Sequence, residues 1–221
     1  MIKIDNIEVY GWQAAVRGMR NPKNSWDKSD SGWSFDLDMD MDSKRPIGYV
    51  NWEIGKADHE LMMKLVKGGS VHAKFRRMIT VTMDITAPLY WVSELDTYKV
   101  GTVRNSCSFM HRGVSKPFSI EDFSFHYPSG KVLDIWRDVV DTLNELREHY
   151  LATKDETIFQ QIRCLLPSGY MQRFTWQANY EVLANIYASR KNHRLDEWRE
   201  FCRIMKEQLP YSELFTGEED G

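Results

Sequence analysis

The chain has 221 residues, a formal net charge of −3 at pH 7, 42% hydrophobic residues and 28% charged ones. This balance reads as a soluble, globular chain rather than a disordered one and argues against bulk nucleic-acid binding. No apolar run nears the roughly 18 residues a bilayer-spanning helix needs, and Met1-Ile2-Lys3-Ile4-Asp5-Asn6 does not read as a signal peptide. Cys107, Cys164 and Cys202 are odd in number and far apart. That spacing predicts reduced cytoplasmic thiols, with no disulfide framework and no metal site.

Ile2, Ile4, Ile7 and Val9 alternate and predict a first strand over residues 1–12. Ala14 to Arg20 predicts a short helix that stops at Asn21-Pro22. Residues 22–46 read as loop-rich, and Asp36, Asp38, Asp40 and Asp42 alternate within them. The glycine and closing glutamate of a calcium loop are absent, so the run reads as a strand with one acidic face. Asp58 to Lys67 predicts an amphipathic helix built on Leu61, Met62, Leu65 and Val66, stopped by Gly68-Gly69.

Phe75 to Tyr90 reads as one long strand or a pair, with Ile79, Val81, Met83 and Ile85 on one face and Pro88 at its end. Residues 112–129 are Pro-, Ser- and Phe-rich and read as loop. The last ninety residues read as helical. One stripe runs from Val132 through Ile135, Trp136, Val139, Val140, Leu143 and Leu146 to Tyr150. Further helices are predicted from Asp155 to Leu166, Gln177 to Ser189, and Leu195 to Leu209. The order predicts an α+β fold with a central mixed or antiparallel sheet, a helical C-terminal half and one domain over residues 1–221.

Residues 163–190 carry the chemistry. Arg163 and Arg190 offer guanidinium forks to a phosphate, while Asn179 and Asn185 offer amides to a ring with carbonyl and N–H edges. Such a set suits an anionic heteroaromatic ligand. Structural readings stand beside it. Arg163 suits an ion pair with Asp155 or Glu156, and Arg190 suits the negative end of a helix dipole. Lys99 to Arg104 with Asn105-Ser106-Cys107-Ser108 suits a phosphate-binding nest or an ordinary polar loop. His72 and His111 read first as surface or structural histidines, and Trp176 as core. No P-loop, nucleophile elbow or dinucleotide glycine motif is present, so any hard chemistry falls to a cofactor.

Three segments together resemble the flavin-dependent thymidylate synthase (ThyX) family. Ala14-Ala15-Val16-Arg17-Gly18-Met19-Arg20 resembles the family's first helix. Leu61 through His72 to Phe75 resembles its helix–Gly–His segment. Arg163-Cys164-Leu165-Leu166-Pro167, with Trp176, Asn179, Leu183, Asn185 and Arg190, matches its most specific stretch without a gap. The family's Arg-His-Arg triplet is missing. Asp96-Thr97-Tyr98 or Thr97-Tyr98-Lys99 stands there, and the first register puts Ser106 at the signature serine.

The resemblance implies one-carbon transfer to C5 of a pyrimidine deoxynucleotide such as dUMP, giving a methyl or hydroxymethyl product. FAD would be the hydride carrier, methylene-tetrahydrofolate the carbon donor and NADPH the reductant, in a homotetramer. It implies that Arg163 binds the nucleotide phosphate, helped by Arg104, Ser106 and Ser108, and that Arg190 acts on the base as the catalytic group. Asn179 and Asn185, with Lys99, Tyr98 and His72, would hold the flavin. The missing triplet leaves a second reading open: a non-catalytic nucleotide-binding or regulatory protein on the same fold.

Overall fold

The computed structural model describes residues 2–39, 46–109, 113–124 and 129–218. His111, Asp40 and Asp42 lie outside the described residues. The central strand is β4, Thr80–Pro88, flanked by β1, Lys3–Tyr10, and β6, Met171–Asn179. With β5, Val103–Ser106, they form a four-stranded sheet in the order β1-β4-β6-β5. In β4, Val81, Met83, Ile85 and Ala87 are buried and the threonines and Asp84 between them are half-buried. This is the period of two that the sequence predicts. Pro88 ends the strand and precedes helix α3, Leu89–Leu95.

Three sequence expectations change. Phe75 to Tyr90 is not one strand, because Lys74–Met78 forms a 3-10 turn ahead of β4. Residues 22–46, read as loop-rich, contain β2, Gly32–Met39, which extends toward the N-terminus the strand expected at the alternating aspartates and pairs antiparallel with β3, Pro46–Glu53. The C-terminal half is not purely helical, because β6 crosses it. Phe174, Trp176 and Ala178 are buried in alternation with exposed Arg173, Thr175 and Gln177. Three apolar side chains on one pleated face favour extended backbone, so the helix expected from Gln177 starts only at Tyr180. The α+β class holds.

The chain folds as two compact units. Unit 1 comprises Met1–Ile7, Met83–Lys99 and Val103–Trp176. Its core joins Phe118, Phe123, Val140, Leu143 and Ile162. Helix α4, Gly130–Thr153, supplies two of these and α5, Glu156–Leu165, one. The expected α4 stripe is only half used, since Val132 and Ile135 in its first turns are exposed. Asp155 caps α5 by accepting from the Thr157 amide and hydroxyl.

Unit 2 comprises Glu8–Thr82, Val100–Thr102 and Gln177–Gly221. It holds α1, Trp12–Arg20; α2, Lys56–Lys67; α6, Tyr180–Arg190; α7, Asp196–Gln208; and α8, Glu213–Thr216. Tyr180 is fully buried, edge-on to Trp12 and Phe215, and its hydroxyl donates to the Pro210 carbonyl. Gly11 lies at φ +95, and a Cβ there would sit 2.0 Å from the Met78 carbonyl oxygen, so only glycine lets α1 start here.

Two ion pairs are buried in this unit. Arg20 donates to Asp58 at 2.5 Å, and Arg76 pairs with Glu181 at 2.9 Å. Burial pushes the Asp58 carboxyl up, but hydrogen bonds from Ser29, Ser31 and Arg20 outweigh it and hold the group below its usual range. Among the described residues no helix is long and apolar enough to cross a membrane.

Candidate functional site

The predicted residues fall into two groups. In unit 1, α3 ends at Leu95 and the chain turns through Asp96 and Thr97 toward β5. Arg104 on β5 points its fork back at Asp96, donating from Nε and Nη2 at 2.9 Å each. The same guanidinium lies 5.4 Å over the Phe174 ring and reaches Gln172. Gln172 in turn donates to the Cys107 carbonyl at 3.1 Å. Arg104, half-buried, is therefore occupied by a carboxylate. A bidentate pair of this kind fixes a strand edge and neutralises the cation.

Ser106 is half-buried at the end of β5. Ser108 lines a cavity of about 280 Å³, together with Cys107, Lys116, Tyr170, Gln172 and Arg173. Lys116 pairs with Asp122 at 2.6 Å, and this carboxylate raises the lysine's pKa. Burial raises the Tyr170 phenol, and Asp122 adds to it. Arg173 donates to Asp84 at 2.9 Å. Hydrogen bonds from Thr175, Asn6 and Arg173 lower the Asp84 carboxyl to about 2. Tyr98 is half-buried, Lys99 is exposed, and Arg163 is exposed in the last turn of α5.

In unit 2 the second group gathers on α6. Asn179 is not inside that helix, as the sequence reading has it. It is the last residue of β6 and caps α6, its Oδ1 accepting from the Val182 amide at 3.0 Å. Gly101, at φ +78, packs on the other end of this side chain. A Cβ at Gly101 would lie 2.9 Å from Asn179 Nδ2. The cap leaves the Asn179 Nδ2 as the donor, beside a loop that glycine keeps open.

Asn185 is exposed on α6. Arg190 ends the helix with its guanidinium 4.8 Å over the Trp198 ring and Nη1 2.8 Å from His193 Nε2. Stacking and that contact fix the fork in one orientation. Burial pushes the neighbouring Cys202 thiol up to about 12, which makes it inert, whereas Cys107 and Cys164 are exposed. His72 lies in the turn after α2 and lines a different cavity.

Sequence reading names Asp96 without its partner Arg104, and misses Gln172 and Lys116. Nothing in the spacing of Asp96 and Arg104 announces their pairing. Gln172 is visible only through the alternation of β6, which a helical reading of this stretch obscures.

Neither a family model nor a curated protein sequence matches this chain. Solved structures do. Thymidylate Synthase X (ThyX) from Helicobacter pylori, with FAD and dUMP, is similar at TM-score 0.68 and 15% identity, over 99% of this chain and 98% of that one. The chain has a ThyX-like fold. A second structure of the Helicobacter pylori enzyme, complexed with FAD and dUMP, gives the same TM-score and identity. The UMP/dUMP methylase PolB from Streptomyces cacaoi, bound with 5-Br dUMP, is similar at TM-score 0.61 and 17% identity, over 98% of this chain and 95% of that one. In this ThyX-like chain the Asp96 carboxylate binds Arg104.

Proposed function

We propose that this chain is a member of the flavin-dependent thymidylate synthase family and transfers a one-carbon unit to C5 of a pyrimidine deoxynucleotide such as dUMP. The observation that carries the reading is the seating of Gly101 against Asn179 at the start of the helix that bears Asn185 and Arg190. Support comes from the neighbours, whose structures hold dUMP or its 5-bromo analogue, and two of them FAD.

The residues fit a flavin in their donor chemistry. Asn179 offers Nδ2 and Asn185 an exposed amide, and Gly101 leaves room that a Cβ would fill; Lys99, Tyr98 and His72 are assigned to the flavin by the resemblance. Bound flavin supplies the hydride. Methylene-tetrahydrofolate supplies the carbon, and NADPH the reducing equivalents. The chain's own part is binding and electrostatics. Arg163 holds the 5′-phosphate, with Ser106 and Ser108 donating hydroxyls. Arg190, already aimed by Trp198, polarises a pyrimidine carbonyl and stabilises negative charge that develops on the ring when C5 loses its proton. Four copies assemble. The exposed Trp33, Phe35, Leu37 and Val50 of the β2–β3 ribbon supply apolar surface for that.

A second reading has its own observation. The Asp96–Arg104 pair replaces a cationic cluster with a neutral one, which favours a nucleotide-binding protein without the flavin reaction. The deciding experiment uses purified protein with FAD, NADPH, methylene-tetrahydrofolate and dUMP tritiated at C5. A flavin absorbance band with release of tritium to water supports the enzyme. Saturable dUMP binding in a colourless protein that releases no tritium supports the second reading.

A further inference from the structure

In unit 2 a cavity of about 480 Å³ opens between α1, α2 and the Lys74–Met78 turn. That volume lies in the range of small-molecule sites, roughly 300–1,000 Å³. Met19, Leu65, Phe75 and Met78 line its body. A Cβ at Gly18 would meet the Met78 sulfur at 2.8 Å, so glycine lets that thioether lie against α1. Thioethers beside a phenyl ring make a polarisable wall that suits a flat ring.

The rim is cationic. Lys23, Lys64 and Lys74 line it together with His72, and among the described residues no carboxylate does. Among the described residues, none of these three lysines has an ion-pair partner. Like charges around an apolar opening raise the local potential, and an anion relieves it.

We propose that this cavity binds a ring-bearing anion, with a flat apolar or heteroaromatic body against Met19, Leu65, Phe75 and Met78 and a carboxylate or phosphate tail at the lysines. The inference does not rest on dUMP binding, since none of the residues assigned to dUMP lines the cavity, and of those assigned to the flavin only His72 does.

The test uses the full chain and two fluorescent probes of similar body, anionic 1-anilinonaphthalene-8-sulfonate and uncharged N-phenyl-1-naphthylamine. The sulfonate should bind saturably. Lys64→Glu and Lys74→Glu, checked for folding by circular dichroism, should each weaken it about five- to tenfold and leave the uncharged probe unmoved. Leu65→Trp should block both probes. No saturable sulfonate binding overturns the proposal, as it would if a second copy of the chain closed the cavity. So does charge reversal that leaves the sulfonate unaffected or weakens both probes alike. With binding established, FAD is added as competitor. Displacement identifies the flavin as the ring-bearing anion, and retention of the probe identifies a separate one.

Discussion

Two cavities of this chain both carry cations but treat them differently. Beside β5, Lys116 and Arg173 already hold the carboxylates of Asp122 and Asp84. Around the α1–α2 cavity, Lys23, Lys64 and Lys74 hold none among the described residues. A paired cation must give up its partner to take an anionic ligand, whereas an unpaired one gains the whole contact. The same lesson reaches the family-like residues. Arg104 is neutralised by Asp96, while Arg190 stacks on the Trp198 ring with Nη1 beside His193. Residue type suggests a ligand, and its neighbours decide whether the charge is available.

The strongest way to sharpen this contrast is at the buried Arg20–Asp58 pair. Asp58→Ala leaves a buried guanidinium without its partner and should lower stability by about 3–5 kcal/mol in denaturant unfolding. A loss under about 1 kcal/mol would mean that Arg20 finds another partner, and that pairing matters less than argued. Next comes Arg163. Arg163→Ala should weaken dUMP by about 2–3 kcal/mol by calorimetry. Unchanged affinity in a folded variant removes it from the site.

Gly101→Ala combines a positive φ with a clash at Asn179 Nδ2. It should cost about 1–3 kcal/mol of stability and weaken FAD more than dUMP in fluorescence titrations. Equal affinities to the parent would detach that loop from the flavin. The smallest effect concerns Asp84. Its folded pKa, about 2, lies below the ordinary 3.8, so its contribution is complete above about pH 4 and fades as pH falls toward 2. Carbon-detected NMR should place the midpoint there, and Arg173→Met should move it upward. A midpoint near 3.8 in the parent would show that the Arg173–Asp84 pair is open in solution.

Much of the architecture is legible because burial imposes a period. β4 and α2 announce themselves by their apolar spacing. β6 escapes because its signal, Phe174, Trp176 and Ala178, is short and runs straight into a helix, where local propensity cannot mark the change of period. At the proposed site, Arg163, Asn185 and Arg190 are suggested by residue type and by the resemblance. The roles of Asp96 and Gln172 are not, because they are set by Arg104, 8 and 68 residues away from them, which only the folded chain brings near. Asn179 shows the limit in another way: its identity points to a ligand, but half of its side chain closes a helix end.

The β2–β3 ribbon carries one more consequence. A lone pair of strands is marginal in water, and this one has an apolar face, with Trp33 opposite Trp52 and Phe35 opposite Val50. Among the described residues, neither of its outer edges has a strand neighbour. Open backbone beside exposed aromatics is a template for pairing with any extended peptide. The ribbon thus sets open strand edges beside exposed aromatics, and anything that covers it removes that template.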